Sequence, residues 1–371
     1  MKIALVVPGG VDRSGHKVIP CLLWQIERLA GGGDEVHVFA LGQEPDSGRW
    51  PLLGAEVHNI GPRPRQLHAL LALVAEHRRG RFDIVHSYWA AGPGVAAAAF
   101  SRLAGVPSVL TLPGGDLVAL RDIGYGAQLS LRGRIMTRIA LAGARRVVVQ
   151  SDWMAAKAAA FGVSAAQIPL GVAIDRWPVS PPRPRRPGRP LRLIQVANLN
   201  LVKDQETLLR AARILLERGV DFHLDIIGLD TLDGAVQRRA SALGLHGTVA
   251  CRGFLPHPDI RPWVEAADLL VVSSRHEAGP VVMLEAAVAG VPTVGTAVGH
   301  VADWSPRAAA AVPIGDSAAL AAAIETLDKD EAVRLQLARS AQERAVAEDA
   351  CDTARRTRRL YGELIEARAR R

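Results

Sequence analysis

Cysteine, lysine, aromatic residues and long apolar runs are all scarce in this chain. The three cysteines, Cys21, Cys251 and Cys351, are scattered with no metal-like spacing, and this argues for a reducing compartment. No segment approaches the length of a membrane span. The N-terminal Met1-Lys-Ile-Ala-Leu-Val-Val-Pro8 is too short in its apolar part for a signal peptide and reads as a first strand. A cytoplasmic protein is expected, with contact at the inner face of the membrane left open. Aromatics make up only 4% of residues. Neither basic run, His77-Arg-Arg-Gly-Arg81 or Arg183-Pro-Arg-Arg-Pro-Gly-Arg189, interleaves them as a platform for single-stranded nucleic acid would. No zinc-finger or RNA-recognition signature is present, so no nucleic-acid partner is expected. Lysine is scarce where alanine, arginine and proline are plentiful, a bias that genomic base composition can produce without functional cause.

What is present is a globular composition, 49% hydrophobic and 22% charged. At 371 residues the chain is too long for one ordinary core, and two domains are the first expectation. The net charge of +8 suits an anionic partner, whether a membrane surface or a phosphorylated small molecule. The two basic runs read first as solvated loop charges, which need no ligand.

Short β-branched runs alternate with amphipathic stretches almost from end to end. The first half has Ile3–Pro8, Val36–Leu41, Val57–Ile60, Asp83–Ser87, Ser108–Leu112 and Arg146–Ser151; the second has Leu191–Leu199, His223–Gly228, Thr248–Gly253, Leu269–Ser274 and Pro292–Thr296. Such alternation predicts parallel α/β sheets with helices on both faces. Between the halves, Pro178-Val-Ser-Pro-Pro-Arg-Pro-Arg-Arg-Pro-Gly-Arg-Pro190 excludes a helix or a central strand and reads as a linker. The predicted organisation is therefore a Rossmann-like domain over 1–178, a linker over 179–190 and a second Rossmann-like domain over 191–351. A final helix over about 352–371 is expected to pack back on the first domain. Ligands of open parallel sheets sit at the carboxyl ends of strands, which for two domains means the cleft between them.

The segment from Ser273 to Gly290 runs strand, loop, helix, and it contains Glu277-Ala-Gly-Pro-Val-Val-Met-Leu-Glu285. Pro280 suits the first helical turn, and Gly279 permits close approach of a ligand to the backbone. The N–H groups of Val281 and Val282 point out of the helix start toward an anion, for which phosphate is the natural guest. Glu277 lies on the loop and Glu285 within the helix, so the two carboxylates can reach different parts of one extended ligand. Carboxylates accept charge-assisted hydrogen bonds from sugar hydroxyls, worth about 1.5–3 kcal/mol each. Each alone could instead be a helix-start carboxylate or an exposed helix glutamate. The second motif, Gln195-Val-Ala-Asn-Leu-Asn-Leu-Val-Lys-Asp-Gln-Glu206, is the first strand-to-helix turn after the linker. Lys203 sits at the positive end of a helix, where its charge is unfavourable unless a diphosphate lies beside it. Asp204 reads as a helix cap.

Together these motifs resemble the retaining glycosyltransferases of family 4, whose GT-B fold has two facing Rossmann-like domains. The hallmark there is a Glu, seven residues and a second Glu, the spacing of Glu277 and Glu285. The following Ala-Gly-Val-Pro-Thr-Val294, the Val-Gly-His at 298–300, Arg146–Ser151 and Ile168-Pro-Leu-Gly-Val172 also resemble the family. The resemblance implies sugar transfer from a nucleotide-diphosphate sugar to a hydroxyl of a glycan, lipid-linked or small-molecule acceptor. By it, Lys203 holds the donor diphosphate, Glu285 the ribose hydroxyls and Glu277 the transferred sugar, with Lys203 and Glu277 as the catalytic pair. Phosphate meets the N–H groups of Val281 and Val282 beside Gly279, and Gly253 and Phe254 stand where the family's nucleobase pocket lies. No Asp-x-Asp motif is present, so no metal ion and no further cofactor is expected.

Two departures stand out. Asn198 occupies the place of an arginine usual in the family and supplies no charge; Arg13 is one candidate to replace it. Thr111-Leu-Pro-Gly-Gly-Asp116 stands where the family often has Thr-x-His-Gly, and Pro113 cannot do the work of histidine. In the first domain Gly9, Gly10 and Arg13 form a glycine-containing loop that either approaches a ligand or is a plain tight turn. His86 and Asp116 read equally as acceptor contacts or as structural residues. A nucleotide-sugar epimerase of similar fold and a non-catalytic binder of sugar nucleotides or glycans are the competing functions.

Overall fold

The computed structural model describes residues 1–15, 18–61, 64–186 and 188–370; the sequence readings that include Pro187 and Arg371 extend outside the described residues at those positions. The chain divides into two compact units, 1–171 with 350–371, and 172–349.

The first unit is built on β1 (Lys2–Val7), β2 (Glu35–Ala40), β3 (Gly48–Leu52), β4 (Ala55–Asn59), β5 (Ile84–Tyr88), β6 (Ser108–Thr111), β7 (Arg146–Val149) and β8 (Ala165–Gln167). They form one sheet in the order β3-β4-β2-β1-β5-β6-β7-β8. After Lys2, β1 is apolar, and its residues from Ile3 to Val7 are fully buried, as a strand covered on both faces requires. The sheet is parallel except for β3, which runs antiparallel to β4. Its Pro51 has no N–H to give, which an edge strand tolerates and an inner one does not. β3 and the short alanine-containing β8 carry too little apolar signal to be read from sequence, and neither was anticipated.

The second unit holds β9 (Leu191–Val196), β10 (Phe222–Ile227), β11 (Val249–Gly253), β12 (Leu269–Val272), β13 (Thr293–Thr296) and β14 (Ala310–Val312). They form an all-parallel sheet in the order β11-β10-β9-β12-β13-β14. Leu193, Leu208, Leu215, Phe222, Leu224, Ile226, Leu269 and Val271 belong to its core. β9 and β12 are neighbours, so the loops that follow them emerge side by side at one edge of the sheet.

The described residues of the proline-rich stretch have neither helix nor strand, as its composition demands. It is nevertheless fastened along the second unit. Ser180 N–H donates to the Val288 carbonyl at 3.0 Å, Arg185 pairs with Asp328, and the buried Arg334 donates to the Arg183 carbonyl at 2.9 Å. The division between units accordingly falls at Gly171/Val172, ahead of position 178, and Trp177 is buried with its indole N–H on the Glu285 carbonyl at 3.0 Å. The helix Ala350–Ala369 belongs to the first unit. Thr353 accepts from Gly171 N–H at 2.9 Å and donates to the Pro169 carbonyl at 2.7 Å, while Gln25 reaches Thr357 at 3.2 Å.

Candidate donor site

After β9 the chain turns through Ala197–Asp204 before the helix Gln205–Glu217 begins. Asp204 adopts φ 48° and caps that helix, accepting from Thr207 N–H at 3.2 Å and from the Thr207 hydroxyl at 2.7 Å. Behind the turn, Gln195 donates to the Ser273 hydroxyl at 2.8 Å, Ser273 donates to the Lys203 carbonyl at 2.8 Å, and Gln205 donates to Gln195 at 3.1 Å. A backbone bond from Arg275 N–H to the Val202 carbonyl, 2.8 Å, joins the β9 and β12 loops directly. This buried polar network fixes where Lys203 starts.

Lys203 then points to Glu277. Its Nζ lies 2.5 Å from Glu277 Oε1, and the Ser274 hydroxyl donates to the same oxygen at 2.6 Å. The two residues to which the sequence assigns diphosphate and sugar are thus held against each other, each part-buried. A lysine ammonium has further N–H groups beyond the one given to Glu277, and Glu277 has a second oxygen. The pair can therefore bind an anion on one side and a hydroxyl on the other without separating.

The helix Val281–Val288 starts with Pro280 as its N-cap residue rather than inside the first turn, and it has no side-chain cap. The N–H groups of Val281 and Val282 belong to the first turn, where no intrahelical partner exists. Gly299, at φ 49°, lies under the preceding loop, where an added Cβ would come within 3.1 Å of the Glu277 carbonyl oxygen. Gly299 thus allows the Val298–His300 segment to support the Glu277 loop. Glu285 is more enclosed than a simple surface acceptor. Its side chain is 4% exposed, and its Oε1 takes the His257 ring nitrogen Nε2 at 2.6 Å. His257 in turn leans on Trp177, with ring centroids 5.2 Å apart.

Asn198 is exposed, and its carboxamide oxygen accepts from Leu229 N–H at 3.3 Å, tying the β9 loop to the β10 loop. Gly253 ends β11 at φ 75°, and the following Phe254 is 49% exposed. The ends of β9, β11 and β12 thus bring Lys203, Asn198, Gly253, Phe254, Glu277 and the start of Val281–Val288 to one edge of one sheet. His257 and Ser274 were missed from sequence.

In the first unit, Gly10 adopts φ 82°, and an added Cβ would lie 2.5 Å from Ile19. The N–H groups of Gly10 and Val11 both donate to Gln43 Oε1, at 2.6 and 3.1 Å, so the Gly9-Gly10 loop is a braced turn. Arg13 lies over the Trp50 ring at 4.4 Å and pairs with Glu44 at 3.3 Å, so its charge is engaged within its own unit. His86 is held inside its own unit by two side-chain partners. It is buried, its Nδ1 lies 2.5 Å from the Tyr361 hydroxyl and its Nε2 2.7 Å from the Thr111 hydroxyl, and burial drives its pKa down to about 3. Asp116 is likewise buried and accepts from Ala90 N–H at 2.9 Å; desolvation raises its pKa to about 6 against the opposing backbone bonds. It organises the turn after β5, where Trp89 has φ 66°.

Residues 18–171 match the glycosyl transferase 4-like domain, and residues 179–344 match the glycosyl transferases group 1 family. The chain is 29% identical over 369 residues to the D-inositol 3-phosphate glycosyltransferase of Arthrobacter sp. (strain FB24), covering 90% of this chain and 86% of the relative. Among solved structures it resembles sucrose-phosphate synthase from Thermosynechococcus elongatus, with a TM-score of 0.80 at 19% identity, covering 99% of this chain and 100% of that one. It also resembles HepE from Anabaena in complex with UDP-glucose, with a TM-score of 0.74 at 19% identity, covering 98% and 100%. The chain belongs to the family 4, group 1 glycosyltransferases, enzymes of GT-B fold that move a sugar from a nucleotide sugar.

Proposed function

We propose that the protein is a retaining glycosyltransferase, independent of metal in its transfer step, and that the Lys203–Glu277 pair is the centre of its donor site. The observation that carries this reading is the 2.5 Å contact between Lys203 and Glu277 beside an uncapped helix start. Cleavage of the bond from C1 of the sugar to the diphosphate leaves negative charge on phosphate oxygen. Lys203 and the N–H groups of Val281 and Val282 are positioned to receive that charge without reorganising, which is the principal electrostatic device of such sites. The acceptor oxygen forms its bond to C1 on the face that the diphosphate leaves, and the hydroxyl proton departs with the leaving group. Glu277 orients the sugar. Glu285, steadied by His257, takes the ribose hydroxyls, and Phe254 offers an exposed ring to the base.

The donor class is a nucleotide-diphosphate sugar, with UDP-glucose the first to try because HepE was solved with it. No further cofactor is required. The acceptor is a sugar, cyclitol or lipid-linked hydroxyl. A lipid-linked acceptor is favoured by the helix Leu131–Gly143. Leu131, Ile135 and Ile139 are 66%, 47% and 47% exposed, at helical spacing, with the exposed Arg132, Arg134 and Arg138 alongside. That is the composition of a helix lying on an anionic lipid surface. Among the described residues no helix is long and apolar enough to cross a membrane. The proposed location is the cytoplasm, at the inner membrane face.

The reading is tested by following donor turnover with a panel of nucleotide sugars and acceptors, with the product anomer assigned by NMR. Retained configuration, and an initial rate unchanged by chelator well below the unfolding transition, are expected. An inverted product or a chelator-abolished rate contradicts it. Epimerised donor without an acceptor would favour an epimerase. For the lipid surface, cosedimentation with phosphatidylglycerol vesicles is expected and should be lost in Ile135→Ser/Ile139→Ser; binding equal to that of the double variant contradicts the surface.

A further inference from the structure

Two neighbouring strands carry the same tripeptide, Glu35-Val-His37 on β2 and Glu56-Val-His58 on β4. The strands pair in parallel, with His37 opposite Glu56 and Phe39 opposite His58. Side chains alternate along a strand, so both histidines and both glutamates project from one face of the sheet. There His37 Nδ1 lies 2.9 Å from His58 Nε2 and 3.7 Å from Glu56 Oε2. One ligand atom from each of His37, Glu56 and His58 falls within 4.8 Å of the others. On the far side of its ring, His37 Nε2 lies 3.0 Å from Glu35 Oε1. A carboxylate only accepts, so Nε2 carries the proton and Nδ1 presents its lone pair toward His58 and Glu56.

A hydrogen bond between two buried imidazoles would need one histidine on each strand. It would not need a carboxylate beside each of them. We infer that His37, His58 and Glu56 form a binding site for a divalent cation of the zinc class. Imidazole nitrogen and carboxylate oxygen are the donor set of such ions. A carboxylate on the remote ring nitrogen, here Glu35, is the usual device that fixes the tautomer of a liganding histidine. The ion replaces the proton shared between the rings: His58 gives up its Nε2 proton and takes one at Nδ1, leaving two lone pairs and one carboxylate oxygen on the metal. Both histidines are buried while Glu56 is partly exposed, so a fourth position is open to water. Arg49 on β3 pairs with Glu56 at 3.3 Å and with Glu76 at 3.6 Å, so it keeps a carboxylate partner as the ion takes over the charge of Glu56. The ion fastens β2 to β4. It lies in the first unit, among residues the transfer reaction does not use, and it does not depend on the donor site.

The test uses the untagged full-length chain and Zn2+ in competition with a chromophoric chelator, with Co2+ absorption as a second readout. One ion per chain is expected, with the visible band of a low-coordinate nitrogen and oxygen site. Binding should weaken by more than about tenfold in both His58→Gln and Glu56→Gln. Glu56→Gln is a partly exposed position, so the comparison survives if His58→Gln fails to fold. Zn2+ should also raise the unfolding temperature of the wild type and not of Glu56→Gln. Absence of stoichiometric uptake, uptake unchanged in the variants, or a thiolate charge-transfer band pointing to a cysteine would each overturn the site.

Discussion

Glu285, proposed to take the ribose hydroxyls, is held by His257, whose Nε2 lies 2.6 Å from its Oε1. The expected consequence is that His257→Ala raises the dissociation constant for the nucleotide diphosphate by about tenfold, ~1.4 kcal/mol, with a smaller effect on kcat. Calorimetric titration checks this, and an unchanged affinity would remove His257 from the site. At Asn198 the expectation runs the other way. Asn198→Arg adds charge beside the proposed diphosphate position and should raise kcat/KM, whereas a fall would show that the carboxamide bond to Leu229 N–H matters more. At this scale the sequence offers the candidates. Glu277, Glu285 and Lys203 stand out by the family resemblance of their motifs and by an unfavourable charge at a helix start. Their partners do not, because His257 stands 28 residues before Glu285 and only the folded chain brings the two together. His86 shows the same limit in reverse: a polar residue at a strand end can face a ligand or a neighbouring helix, and here it faces Tyr361.

Strands with a run of β-branched residues declare themselves, and those forming the middle of both sheets lie close to their expected positions. The short edge strands β3, β8 and β14 do not, since an edge position asks for little apolar surface and permits proline. The proline-rich stretch was legible as irregular, but its fastening to Val288, Asp328 and Arg334 was not, because those bonds are long-range. The C-terminal helix is held to the first unit through buried polar contacts as well as packing. Tyr361→Phe leaves His86 Nδ1 without its partner inside the core, which costs about 1–3 kcal/mol. Chemical denaturation should show that loss while donor affinity stays unchanged. A loss of donor affinity at full stability would mean that the helix acts on the donor site.

For the molecule as a whole, buried histidines set the response to acid. Burial lowers the pKa of His86 to about 3 and, with nearby positive charge, those of His58 and His300 to about 4, from 6.5. Each is neutral when folded and takes a proton more readily when unfolded. Its contribution is therefore complete above pH 6.5 and is lost as pH falls toward the folded value. The slope approaches about 1.4 kcal/mol per pH unit for each histidine. Asp116 opposes this. Burial raises its pKa from 3.8 to about 6, so its contribution is present below 3.8 and lost as pH rises through 6. Stability should fall from pH 6.5 to 4, and more steeply in Asp116→Asn, where the opposing group is gone. Urea titrations across that range decide it, and equal slopes would contradict the assignment.

The central claim is that Lys203 and Glu277 form the donor site of a nucleotide-sugar transferase. Its most direct test is donor binding and turnover across UDP-, GDP- and ADP-linked sugars at one salt concentration, with wild type beside Lys203→Ala. Selective binding by the wild type and a drop in kcat/KM of about 10²–10³-fold in the variant are predicted. Equal donor affinity and turnover in the two proteins would contradict the account.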